Sequence, residues 1–86
     1  MEVTLKLYGI LKQYIYNYEQ KNKMNLKLDS FQSIKQILEE NNIPTKEVSF
    51  LLVGSETVNF NYQVKNGDVI KAFPRIIGGW FQPYWN

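Results

Sequence analysis

The opening run of the chain alternates without a break. Val3, Leu5 and Leu7 fall on one side, and Glu2, Thr4, Lys6 and Tyr8 on the other. A period of two marks a strand with one buried and one wet face, and a one-residue slip would turn every apolar side chain to solvent. This run therefore demands a sheet with one covered face. The cover must come from the rest of a chain of 86 residues, which is one domain with one modest core. Residues 24–28 alternate in the same way, with Met24, Leu26 and Leu28 on one side. In residues 69–73, Ile70 and Ala72 share a face, and Val69, Lys71 and Phe73 take the other. Residues 49–53 are apolar on both faces, so this strand is expected to meet something besides a helix.

Between these runs the period changes. Gly9 ends the first strand, and Ile10, Leu11, Tyr14, Ile15 and Tyr18 recur at the spacing of a short amphipathic helix. Residues 19–23 are polar and read as a loop. The main helix is expected over residues 30–41. Asp29 and Gln32 have the spacing of a capping box, with Ser30 as the alternative cap. Phe31, Ile34, Ile37 and Leu38 form its apolar stripe, and Ser33, Gln36, Glu39 and Glu40 face solvent. Asn41, Asn42 and Pro44 end it, because the residue before a proline is driven out of the α region. Gly54, Ser55 and Glu56 make a turn, and residues 57–64 are short, irregular and polar. Asn66 followed by Gly67 is a type I′ turn signal. One long helix among four to five strands gives an α+β fold, a mixed sheet with the helix on one face. That face carries Val3, Leu5, Leu7, Leu26, Leu28, Ile70 and Ala72. If the first and last strands pair in parallel, their connection is right-handed.

Composition excludes several functions. There is no Cys and no His, so no disulfide, no thiolate nucleophile and no imidazole base, and zinc or copper sites are not expected. A net charge of +2 with no run of Lys or Arg does not point to a nucleic-acid partner. No apolar run nears the length of a bilayer crossing, and no leader-like segment opens the sequence. The expectation is a cytoplasmic protein that is not itself an enzyme, binds no cofactor and has no membrane partner.

The chemistry-bearing stretch is Phe73, Pro74, Arg75, Ile76, Ile77, Gly78 and Gly79, directly after the last strand. Two glycines without Cβ atoms can thread a channel too narrow for other residues, and they can equally make a sharp turn. Trp80, Phe81, Tyr84 and Trp85 then place four aromatics in the next few residues. These fit a docking peptide, and they also fit a cover for an apolar patch on the same domain, the patch that would include Phe73.

The sequence resembles the MoaD/ThiS sulfur carriers over residues 1–79. The resemblance rests on Val3 to Gly9 with the short helix after it, on Leu51 to Glu56, and on Asn66, Gly67 and Asp68 before a strand that ends in Gly78 and Gly79. It implies a β-grasp, ubiquitin-like fold for residues 1–79, followed by an aromatic extension over residues 80–86. It implies that Gly79 carries the chemistry, with Gly78 beside it. A ubiquitin-activating-type adenylyltransferase would use ATP to adenylate the Gly79 carboxylate, and a sulfur donor would convert it to a thiocarboxylate. A sulfur-accepting synthase would then take the sulfur into molybdopterin, tungstopterin, thiamine or a related product. Residues 73–77 would be the segment a partner grips by strand addition.

The sequence departs from the simplest members of that family because Gly79 is bonded to Trp80. Its carbonyl is an amide, and an amide cannot be adenylated. A carrier of this kind needs cleavage of the Gly79–Trp80 bond, for which a JAMM-type zinc metalloprotease is the expected agent. The alternatives are an unprocessed ubiquitin-like interaction module, whose tail belongs to the fold, and a protein-modifier tag.

Overall fold

The computed structural model describes residues 1–15 and 21–75. Five strands form one mixed sheet in the order β2-β1-β5-β3-β4. They are β1 (Glu2–Leu7), β2 (Lys23–Lys27), β3 (Val48–Val53), β4 (Glu56–Val58) and β5 (Val69–Pro74). β1 and β5 are parallel neighbours at the centre, with Leu5 level with Ile70 and Leu7 level with Ala72. β2 and β3 flank this pair antiparallel, and β4 closes the edge beyond β3. The expected mixed sheet with one helix on one face is what the chain builds.

The alternation of the opening run is expressed in full. Val3, Leu5 and Leu7 are buried, as are Ile70 and Ala72 opposite them. Helix α1 (Ile34–Glu40) lays Ile34, Ile37 and Leu38 into the same core. Leu26 and Leu28 lie at its margin and are only half-buried, because β2 is the edge strand of the sheet.

The helix begins later than its sequence suggests. Ser33 is the N-cap, its hydroxyl accepts from the Gln36 backbone N–H at 3.2 Å, and the Gln36 side chain accepts from the Ser33 backbone N–H at 2.9 Å. The capping box at Asp29 and Gln32 is therefore not used, and neither is the cap at Ser30. The residues on either side of Ser33 are held by another part of the chain: the Gln32 carbonyl accepts from Val64 N–H at 2.9 Å, and Ile34 N–H donates to the Tyr62 carbonyl at 3.0 Å. Phe31, expected in the apolar stripe, stands outside the helix and is 73% exposed. Two core residues come instead from irregular segments, Ile43 and Val64, both buried.

Two further expectations change. The short amphipathic helix is a 3₁₀ turn over Gly9–Tyr14 that buries Leu11 and leaves Ile10 exposed; Tyr18 lies outside the described residues. The Asn66–Gly67 turn is closed by Asp68 N–H donating to the Lys65 carbonyl at 3.0 Å. Only Gly67 of the two has positive φ (89°), which is the type II pattern and not type I′. The turn does not join paired strands. It clamps the start of β1, with Glu2 N–H donating to Asn66 Oδ1 at 2.8 Å and Gly67 N–H donating to the Glu2 carbonyl at 2.7 Å. Among the described residues no helix is long and apolar enough to cross a membrane.

Candidate functional site

The site expected from sequence begins where β5 ends. Because β1 and β5 run parallel, both finish on one rim of the sheet, and the segment after Pro74 leaves from that rim. Three contacts fix its point of departure. Pro74 packs on Gly9, which follows β1 with φ +58°; a Cβ built on Gly9 would sit 2.8 Å from Pro74 Cγ. Arg75 N–H donates to the Glu47 carbonyl at 3.2 Å, and Arg75 Nε donates to the Lys46 carbonyl. Glu47 is in turn held by Tyr14, whose hydroxyl donates to Glu47 Oε1 at 2.7 Å. The bond to the Glu47 carboxylate is the main reason the Tyr14 hydroxyl is pushed above its ordinary pKa, with desolvation adding to it. The 3₁₀ turn after β1, the 3₁₀ turn Thr45–Glu47 and the end of β5 are thus tied together at one place.

Phe73 points to the face away from α1, as its alternation with Ala72 requires. It is sandwiched there. Its ring lies 4.5 Å from that of Tyr8 and 4.6 Å from that of Phe50, each pair within 5° of parallel. Parallel stacking of this kind contributes about 0.5–1.5 kcal/mol per pair beyond area burial. The column spans the ends of β1, β5 and β3, and Phe50 remains 45% exposed. One pleat back, Lys23, Lys6 and Lys71 stand abreast on successive strands, next to Leu52 of β3.

Of the seven residues singled out in sequence, Phe73, Pro74 and Arg75 are thus brought to one rim. Ile76, Ile77, Gly78 and Gly79, and the Gly79–Trp80 bond, lie outside the described residues. Sequence reasoning missed Gly9, Phe50 and Lys46–Glu47 as parts of this rim. Gly9 carried a signal, a glycine directly after an alternating strand, and so did Phe50, an aromatic on the wrong face of a strand apolar on both sides. Among the described residues no group of three or more Asp or Glu side chains could hold a metal ion.

No curated protein matches the chain. Solved structures do. The putative molybdopterin converting factor subunit 1 of Pyrococcus furiosus superposes with a TM-score of 0.62 at 18% identity, covering 87% of this chain and 98% of that one. The small archaeal modifier protein 1 of Haloferax volcanii gives a TM-score of 0.65 at 12% identity, covering 87% and 98%. One chain from the complex of subunits 1 and 2 of the molybdopterin-converting factor of Helicobacter pylori gives a match at TM-score 0.56 and 24% identity, covering 92% and 100%. At these identities the likeness establishes the β-grasp fold. The family model described as Mut7-C ubiquitin matches residues 1–77, nearly the whole chain. The chain belongs to the Mut7-C ubiquitin family, and its β-grasp fold is the one the resemblance to the MoaD/ThiS carriers implies.

Proposed function

We propose that this chain is the precursor of a ubiquitin-like sulfur carrier, made active by cleavage behind Gly79. The observation that carries this reading is the rim at the end of β5. Arg75 is anchored through its backbone and its side chain to Lys46 and Glu47, three residues before the first glycine. A carrier needs such a fixed point ahead of its glycines. The domain is what a partner recognises, and a slim segment takes one carbonyl carbon into the partner's active site.

The chemistry belongs to the partner. Once Trp80 is removed, a Gly79 carboxylate oxygen attacks the α-phosphorus of ATP and pyrophosphate leaves. A sulfur nucleophile then displaces AMP from the acyl carbon, giving the thiocarboxylate. Neither step asks this chain for a base or a metal. The likeness to molybdopterin converting factor subunit 1 supports a sulfur-accepting synthase as the next partner, met in the manner of the subunit 1–subunit 2 complex. The likeness to a small archaeal modifier protein supports attachment to other proteins as a second fate of the activated terminus.

One observation favours the reading as an unprocessed module. The family match stops at residue 77, short of both glycines. Intact-mass analysis of the protein from its native cell separates the two. A species ending at Gly79, with or without one oxygen replaced by sulfur, supports the carrier. Uncut chain alone, under conditions where the protein is in use, supports the module.

A further inference from the structure

Asn66 is the one asparagine of this chain that glycine follows. The pair carries a chemistry of its own. A glycine nitrogen is unshielded by any side chain, so it can attack the amide carbon of the asparagine before it. The Gly67 nitrogen bonds to Asn66 Cγ and the Cγ–Nδ2 bond breaks. Ammonia leaves, carrying Nδ2 and the proton that the Gly67 nitrogen gives up. The product is a five-membered succinimide. Water opens it at Cγ to give aspartate, or at the main-chain carbonyl to give isoaspartate, adding OH to that carbon and H to the nitrogen. Asn66 and Gly67 are both exposed, so water reaches them.

In the folded chain both reacting groups are held by one residue of β1. The Gly67 N–H donates to the Glu2 carbonyl at 2.7 Å, so the nitrogen keeps the proton it must lose before it can attack. Asn66 Oδ1 accepts from Glu2 N–H at 2.8 Å, which draws the side chain toward β1. A bond to Oδ1 alone would polarise Cγ and favour attack, so the block lies in the Gly67 bond. Glu2 and Gly67 stand two residues before Thr4 and Val69, a parallel pair of β1 and β5, and Thr4 N–H donates to the Asp68 carbonyl at 2.9 Å between them. We propose that Asn66–Gly67 is a deamidation site that the fold keeps silent, released only when the turn and the start of β1 part locally. The turn is exposed and these two bonds hold it to Glu2, so parting here costs less than opening the core. The conversion is one-way. Isoaspartate lengthens the main chain by one carbon ahead of Gly67 and displaces the clamping groups, so the clamp does not re-form. The turn lies at the opposite end of β1 and β5 from the rim that leads to the glycine pair, and the inference stands whether or not the carrier reading does.

The test incubates the full chain in mildly alkaline buffer beside a synthetic peptide of residues 62–70. Aspartate and isoaspartate at position 66 are read by fragmentation mass spectrometry. The full chain should convert at least about tenfold more slowly than the peptide, as an amide released by local opening does. Native-state hydrogen exchange should show the Gly67 amide protected by a similar factor. Glu2→Pro removes the N–H that holds Asn66, at a strand start where proline is tolerated, and should speed conversion several-fold with unchanged far-ultraviolet circular dichroism. Gly9→Ala, a destabilising change at the far end of β1, should leave the rate as it is. The proposal is overturned by a full chain that converts as fast as the peptide, by an unprotected Gly67 amide, or by a Glu2→Pro form that converts no faster. It is overturned equally if Gly9→Ala speeds conversion as much as Glu2→Pro, which would assign the reaction to global unfolding. Should Glu2→Pro not fold, the exchange and rate comparisons on the unaltered chain decide alone. Nucleotide and activating enzyme are absent from this experiment, so its failure leaves the carrier reading untouched, and failure of activation leaves this result untouched.

Discussion

Gly9 and Pro74 meet at the rim where β1 and β5 finish, and the contact leaves no room for a side chain. Gly9 has φ +58°, and the nearest atom to a Cβ there would be Pro74 Cγ at 2.8 Å, part of a ring that cannot swing aside. Gly9→Ala therefore combines left-handed backbone strain with a clash. It should cost about 1–3 kcal/mol, read as a lower urea midpoint at unchanged slope. Gly54 is the control: its φ is also positive, at +64°, but no atom lies within 4 Å of a Cβ. Gly54→Ala should carry the backbone term alone and cost less than Gly9→Ala. Equal losses at the two positions would show that the Pro74 contact is not tight. The same comparison shows what the sequence could say. It marked Gly9 as the end of a strand and Gly54 as part of a turn, but a close approach between positions so distant in the chain has no local signature.

At the scale of elements, strands were easier to read than the helix. β1 and β5 lie at the centre of a sheet with one covered face, so burial imposes a period of two on them that the sequence displays directly. The helix start is different. Asp29 with Gln32 and Ser33 with Gln36 both have the spacing of a capping box, and propensity does not choose between them. The choice is made by tertiary pairing. Val64 N–H takes the Gln32 carbonyl, and Ser33 bridges Gln63, so the chain stays extended until Ser33 and Phe31 is left outside. The same pairing explains why Val64 is core although its neighbours are polar. Ser33→Ala should thus destabilise by about 0.5–2 kcal/mol, the usual value of an N-cap. Asp29→Ala should change stability by less than about 0.5 kcal/mol, as surface substitutions do. Thermal or urea unfolding of the two variants checks this, and the reverse ranking would restore the earlier helix start.

For the whole molecule, the sheet order puts the end of a central strand at a rim braced by two 3₁₀ turns, and from there the chain goes on toward Gly78 and Gly79. The glycine pair stands out in the sequence by composition alone. The brace was not legible there, since Lys46 and Glu47 read as ordinary surface residues, and Tyr14 as part of a helical stripe, until the fold gathers them. The carrier reading turns on whether Gly79 becomes reactive when its carboxylate is freed. The most direct measurement is ATP–pyrophosphate exchange with the cognate activating enzyme, comparing the uncut chain, the chain ending at Gly79, and that shorter chain with Gly79→Val. Only the chain ending at Gly79 should support exchange. The uncut chain has an amide at that carbonyl, and a β-branched valine at the reacting residue would crowd the approach to the nucleotide. Equal exchange by the uncut and shortened chains, or full activity of the Gly79→Val form, would contradict the account.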